Sequence, residues 1–366
     1  MRGGIAKFSD LLLESLAESG CEVQPLPFRS IYPGFLDRTS PDTSSTALAE
    51  RGPDDGIVLY NPLTWFRPVR TLKSMDPDVV LMAYWTGFLV PLYFLVSAMS
   101  RRKCVVLLHN YSSHEPWFFE PFMQKLLNRF PDAFITLSGT VDRELEAAIP
   151  GKPRLKLYHP VYEPAGKRYS RSEARRELGL GPDGPVLLFF GYVRRYKGLD
   201  LLLDAMPALL RSEPTLRLVV AGQFFEDPAP YREMITRSGI SDKVTLHEGY
   251  VPAERTGLYF AAADAVVLPY RSATQSGVVQ LAGGYGLPVI VTPAGELPGM
   301  VLQGRTGWIA SEASAQGIAA AVEEFLSARP DLEAMRQEIA SFNSRFSWSE
   351  FARKAAEFLE RQSGRG

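Results

Sequence analysis

The stretch 187-LLFFGYVRRYKGLDLLL-203 decides the fold. A hydrophobic run ends at Gly191, a cationic loop carries Arg194, Arg195 and Lys197, and Gly198 precedes an apolar run at helical spacing. Strand, loop and helix in that order make half of a parallel βαβ unit. A helix opening on such a loop presents free N–H groups and the positive end of its dipole, which favour an anion. Lys and Arg add charge-assisted bonds to phosphate oxygens. Three solvated charges on a surface turn are the plainer reading of the same residues, and this loop by itself leaves both open.

A second segment weighs on that choice: 268-LPYRSATQSGVVQLAGGYGLPVIVT-292. A strand ends at Pro269-Tyr270, and the hydroxyl- and amide-rich loop Ser272–Gly277 opens another helix. Thr274, Gln275, Ser276 and Gly277 offer backbone N–H groups at its start. If the two strands lie side by side, both loops converge on one diphosphate. Neither loop holds a nucleophile–base pair, so the chemistry expected is positioning and charge stabilisation.

Outward from these loops the alternation continues in both directions. Strands are expected at Glu22–Pro25, Ile57–Tyr60, Val79–Ala83, Val105–His109, Ala133–Leu137 and Leu155–Tyr158. Polar, proline-bearing Pro160–Ser172 reads as a linker. Strands then resume at Val186–Phe190, Arg217–Ala221, Val244–His247, Ala265–Pro269 and Val289–Thr292, with helices at Leu199–Ser212, Tyr231–Ser238, Ala253–Ala262 and Gly277–Tyr285. Asn61-Pro62 and Ser138 read as helix starts. The polar stretch 37–56 reads as a surface loop. Leu332–Phe342 and Trp348–Arg361 close the chain as amphipathic helices with core-facing stripes. The fold class is α/β, two doubly wound domains in series, each binding ligands at its strands' carboxyl ends.

Composition excludes several classes. The 366 residues suffice for about two domains of ~150 residues, and 46% hydrophobic with 22% charged residues is ordinary for a globular protein. Forty basic and forty-one acidic side chains give a net charge of −1, which does not suit a nucleic-acid coat. Cys21 and Cys104 form no C-x-x-C pair, and the four histidines are dispersed, so no metal site is expected. The N-terminal MRGGIAKF does not read as a signal peptide, and a cytoplasmic setting is the default expectation. The uncharged run Val79–Ser100 is long enough to span a membrane. Gly87 and Pro91 interrupt it, so it is read as a buried strand, a loop and a helix. Phe88, Tyr93 or Phe94 of that helix are candidates for exposure and for a peripheral membrane contact.

In this order the motifs resemble retaining glycosyltransferases of family four, whose fold is GT-B. Besides the two loops, Gly3-Gly4-Ile5-Ala6 is similar to the glycine loop of the family's first domain. Ala261-Ala262-Ala263-Asp264 before VVLPY and Gly304-x-Thr306-Gly307 are similar to two further family motifs, and RSATQSG resembles one bacterial branch. The resemblance covers nearly the whole chain. It implies two Rossmann-like domains facing a central cleft: an acceptor-side domain over 1–160, a donor domain over 161–345, and a terminal helix over 346–366 returning to the first. It implies a nucleotide diphospho-sugar as co-substrate, no further cofactor, a glycan or lipid-linked acceptor, and no nucleic-acid partner.

The resemblance also assigns residues. Lys197 matches the phosphate-binding lysine, and Arg194, or else Arg195, stands in for an arginine that usually follows Gly191 directly. Gly3, Gly4 and Gly191 are placed near the donor phosphates, and His109 near the donor sugar, with a satisfied loop histidine as its alternative. His114 and Glu115 are equally read as acceptor contacts or solvated surface. The base is placed near Tyr250 and Val251. Two departures stand out. The family carries two glutamates where this chain has Ala273 and Leu281. Backbone N–H groups of Gln275–Gly277, with Gln280 or Gln275, are the replacements proposed for them. A doubly wound domain also expects a strand ahead of its glycine loop. Either the sequence starts short of it or the sheet lacks it, and the former is the preferred reading. Two other functions compete: a nucleotide-sugar 2-epimerase of the same architecture, and a non-catalytic nucleotide-sugar-binding protein. The sequence names neither donor, acceptor nor oligomeric state.

Overall fold

The computed structural model describes residues 4–30, 56–112, 118–162, 164, 166–273 and 276–364. The chain divides into two compact units, 1–159 with 346–366, and 160–345. Gly3, Thr274, Gln275, His114, Glu115 and nearly all of the polar stretch 37–56 lie outside the described residues.

In unit one, α1 (Gly4–Glu18) leads to two short parallel strands, β1 (Phe28–Ser30) and β2 (Ile57–Val58). Then follow α2 (Phe66–Met75), β3 (Val79–Tyr84), α3 (Val90–Ser100), β4 (Lys103–Leu108), α4 (Glu120–Leu127), β5 (Ala133–Thr136), α5 (Gly139–Ala148) and β6 (Arg154–Lys156). The last four strands form a parallel sheet in chain order, β3-β4-β5-β6. Both expected caps form: the Asn61 side chain accepts from Leu63 N at 3.2 Å, although a 3-10 turn comes first, and Ser138 Oγ accepts from Val141 N at 3.2 Å. One sheet face packs Val106, Leu108 and Phe134 with α2 and α3. The other packs Val105, Leu107 and Ile135 with Phe8, Leu12 and Leu16 of α1 and with Phe351, Ala355 and Phe358 of the terminal helix Trp348–Ser363.

Three expectations need correction in unit one. Glu22–Pro25 takes no strand assignment, and the short strand lies at Phe28–Ser30 instead. Gly4 is the first residue of α1 rather than part of a loop before it. Tyr93 is buried, its hydroxyl donating to Ala83 O at 2.6 Å, so Phe88 and Phe94 alone of that trio are exposed. Among the described residues no helix is long and apolar enough to cross a membrane.

Unit two contains α6 (Arg171–Glu177), β7 (Val186–Phe190), α7 (Leu199–Ser212), β8 (Arg217–Gly222), α8 (Ala229–Arg237), β9 (Val244–Glu248), α9 (Ala253–Ala262), β10 (Ala265–Leu268), α10 (Gly277–Gly284), β11 (Val289–Val291), β12 (Gly307–Ile309), α11 (Ala315–Ala328) and α12 (Leu332–Asn343). Its six-stranded parallel sheet has the order β12-β11-β10-β7-β8-β9. The order reverses between β7 and β10, which is where a doubly wound sheet binds ligands. Linker residues Ser170–Ser172 instead open α6: Ser170 and Glu173 form a reciprocal capping box. Asp264 ties the starts of β7 and β10 together. Its buried carboxylate accepts from Arg175 Nη2 at 2.8 Å and Val186 N at 2.7 Å. Arg175, 1% exposed, spends its remaining donors on Ala262 O, Pro182 O and Gly184 O. Satisfied in this way, a buried pair fixes geometry more than it adds stability.

Candidate functional site

β7 and β10 are neighbours, with Leu187 opposite Ala265 and Leu188 opposite Val266. The two loops singled out in the sequence therefore leave adjacent strand ends. Arg271 joins them. Its N–H donates to Tyr196 O at 2.7 Å, its guanidinium to Arg195 O at 3.0 Å, and its fork grips Asp200 at 2.7 and 2.6 Å. Burial pushes the Asp200 carboxyl up, but the Arg271 hydrogen bond and charge outweigh it, and the group sits below the usual carboxylate range. Gly198 lets the loops meet: its φ is +66°, and a Cβ there would lie 2.0 Å from Pro269 O.

Gly191 leaves β7 at φ +101°. A Cβ on it would stand 3.8 Å from Lys197 Nζ and 3.4 Å from Val278 Cγ2, so the ammonium lies over the turn beside the first turn of α10. Lys197 is 9% exposed, with Nζ 5.3 Å from the centre of the Tyr270 ring. Burial lowers its pKa, and Arg194 adds to this while Tyr196 opposes it. A buried ammonium next to a second cation gains from an arriving anion what burial took away. Arg194 is partly buried, 4.4 Å from the Phe225 ring centre. Arg195 points its side chain to the surface and uses its carbonyl.

Ser276 caps α10. Its Oγ accepts from Val278 N at 3.3 Å and lies 3.3 Å from the Tyr270 hydroxyl. Gly277 is the first helical residue. Ala273 is buried, and its carbonyl would meet a Cβ on Gly295 at 1.5 Å. Leu281 packs against the unit's second core, so the two positions that would hold glutamates are apolar in environment as well as identity. Gln280 is 2% exposed, and among the described residues its Nε2 has no hydrogen-bond partner. Tyr250 is exposed on the turn after β9 and Val251 packs partly against the second core, two strands away from β7. Among the described residues no three His, Cys, Asp or Glu side chains cluster as a metal would require.

His109 belongs to unit one. It follows β4, is buried, and meets Phe8 edge-to-face at 4.8 Å, with His159 on the same phenyl ring. Burial first, then the neighbouring His159, lower its pKa to about 3. It is a neutral imidazole at physiological pH and acts only by hydrogen bonding or shape.

Sequence reasoning missed Arg271, Asp200, Tyr270 and Gly222. A Cβ on Gly222 would lie 1.6 Å from Gly191 O, so this glycine is what lets β8 run against the Gly191 turn. Asp200 in the first turn of a helix was a visible signal. Its pairing with Arg271 depends on sheet order.

Residues 184–328 match the family model described as glycosyl transferases group 1. The match lies within the second unit, and the chain has the α/β GT-B fold of its structural neighbours. Among curated relatives, the D-inositol 3-phosphate glycosyltransferase of Segniliparus rotundus is 32% identical over 49% of this chain and 40% of its own. The GDP-mannose-dependent alpha-(1-6)-phosphatidylinositol monomannoside mannosyltransferase of Mycolicibacterium smegmatis is 27% identical over 74% of each chain. The chain spans about half the length of the first curated relatives it matches. HepE of Anabaena, solved with UDP, superposes with a TM-score of 0.69 at 20% identity over 82% of each chain.

Proposed function

We propose that the protein transfers a glycosyl group from a nucleotide diphospho-sugar to a hydroxyl of a glycan or lipid-linked acceptor, with retention and without a metal ion. The observation that carries this reading is the pair of loops at the β7/β10 reversal, held together by Arg271 around a buried Lys197 and the start of α10. Lys197 and Arg194 neutralise charge growing on the departing phosphate, helped by the N–H of Gly277 at the start of α10. Solved relatives bound to UDP support a nucleotide donor. For a lipid-linked acceptor, unit one offers exposed Leu63, Phe66, Phe88, Phe118 and Phe122, with exposed Arg67, Arg70 and Lys73 on α2. Apolar anchors with cations suit an anionic membrane surface.

Ala273 and Leu281 favour a second reading, a protein that binds nucleotide sugars without turning them over. The test is thermal unfolding with UDP, GDP, ADP and dTDP, on the native protein and Lys197→Ala, followed by transfer assays with the nucleotide that binds. A ligand at 100 times its Kd stabilises by ~2.7 kcal/mol. One nucleotide should raise the melting temperature of the native protein only, and its sugar should pass to acceptor, faster on anionic vesicles if the acceptor is lipid-linked. Binding without transfer establishes the second reading. Donor conversion without acceptor points to an epimerase. No shift with any nucleotide overturns the proposal.

A further inference from the structure

The backbones that leave β7 and β8 stay paired beyond the sheet. Gly191 N donates to Ala221 O at 2.9 Å, Val193 N to Gln223 O at 2.8 Å and Phe225 N to Val193 O at 3.1 Å. The cationic loop is thereby zipped to the loop 223–228 that leads into α8. The far end of that second loop is held as well. The Tyr231 hydroxyl donates to Glu226, and Asp227 Oδ1 accepts from Ala229 N at 2.9 Å.

Two phenylalanines follow one another in this loop, and successive side chains of an extended chain point apart. Phe224 turns inward: it packs against the unit's first core and meets Tyr231 edge-to-face at 5.6 Å. Among the described residues Phe225 belongs to neither core of unit two. Its ring meets the Tyr192 ring edge-to-face at 4.9 Å, and the Arg194 guanidinium carbon lies 4.4 Å from its centre. The ring is half-buried, between the tyrosine directly after Gly191 and the arginine two residues further on.

The choice of partner has an electrostatic consequence. A carboxylate would hold Arg194 firmly, as Asp200 holds Arg271, but would cancel its charge. The face of a phenyl ring attracts a guanidinium through its quadrupole and leaves the positive charge in place. That charge reaches Lys197, whose pKa it helps to lower. Two like charges held together repel until an anion arrives. A long side chain able to turn away would relieve the repulsion, and ligand binding would then bear the cost of ordering it again. We propose, on the reading of Arg194 and Lys197 as the cations at the departing phosphate, that Phe225 is a positioning residue of the donor site. Its ring, braced by Tyr192, keeps the Arg194 guanidinium beside Lys197, so the β8–α8 loop sets the affinity for the second phosphate without touching it.

The test is titration calorimetry with UDP, GDP, ADP and dTDP, each beside its monophosphate. The proteins are the native chain, Phe225→Leu, Phe225→Tyr, Arg194→Gln, Lys197→Ala, and Phe225→Leu combined with Arg194→Gln. The departing phosphate is the one that a monophosphate lacks. For the nucleotide that binds, Phe225→Leu should weaken the diphosphate by about fivefold and the monophosphate by less than about twofold. Phe225→Tyr keeps the ring and should bind as the native protein does. Beside Arg194→Gln, Phe225→Leu should have no further effect, because both act through one contact. Poorer folding lowers both affinities alike, so their ratio within one variant separates positioning from stability. Native-like diphosphate binding by Phe225→Leu, an equal loss for both nucleotides, or a loss that persists beside Arg194→Gln overturns the role of Phe225 and leaves the two cations in theirs. No nucleotide binding by the native protein, or binding unchanged in Lys197→Ala, overturns the donor-site reading and the role of Phe225 with it.

Discussion

At the scale of single residues, two titratable groups are held away from their ordinary behaviour, both by burial. For Lys197 the consequence is readiness for an anion. For His109 it is a dependence of unit one's stability on pH. Its folded pKa of about 3 lies below the ordinary histidine value near 6.5. Between those values the unfolded chain binds a proton that the folded chain refuses. The stability is therefore complete above about pH 6.5 and is lost as pH falls, at up to about 1.4 kcal/mol per unit. Urea unfolding of unit one at pH 7, 6 and 5 should show this loss, and His109→Gln should flatten it. An unchanged slope would mean that the ring is protonated in the folded protein.

At the scale of elements, the site depends on a junction between loops. Replacing Arg271 by Met removes the fork to Asp200 and the bond to Arg195 O while keeping the side chain's length and apolar stem. The pair is partly exposed, so the change in folding stability should be small, within about 1 kcal/mol. Nucleotide affinity should fall by about tenfold or more, because the cationic loop is no longer pinned beside α10. Titration calorimetry on Arg271→Met, with unfolding curves alongside, separates the two effects, and an unchanged affinity would show that the loop holds its position without Arg271. This junction also marks how far the sequence could be read. Strand–loop–helix patterns placed Leu199–Ser212 and Ala253–Ala262 at their observed bounds, because hydrophobic periodicity is a local property. The capping box at Ser170 was equally local, but the proline and charge around it suggested a linker. β12 and β1, at three residues each, are too short for any alternation to show. Glu22–Pro25 reads as a strand but takes no strand assignment, because strand pairing is set by the sheet and not by local sequence. Lys197, Gly191 and Ser276 were legible as loop chemistry, whereas Arg271–Asp200 and Gly222–Gly191 are contacts between segments that only the strand order brings together.

At the scale of the whole molecule, the two units differ in how the chain builds them. Unit two is one continuous segment, 160–345, with cores drawn from its own residues. Produced as that segment alone, it should fold and bind the nucleotide of the full chain with a Kd within about threefold, since the diphosphate loops lie inside it. Calorimetry on the isolated segment measures this, and failure to bind would show that unit one supplies part of the nucleotide site. Unit one is discontinuous, and its second core is incomplete without Phe351 and Phe358 of the terminal helix. Losing a single buried phenylalanine costs about 3–5 kcal/mol, so ending the chain at Arg345 should unfold unit one and leave unit two intact. The same path through space is also a path through time. A ribosome adding about 5–20 residues per second needs roughly 10–40 s between releasing His159 and releasing the last helix. Over that interval the newborn first unit keeps Phe8, Leu12 and Leu16 uncovered, while the second unit, begun later, can finish first. The part of the protein made first is the part completed last, and a chaperone that guards nascent apolar surface would meet it there.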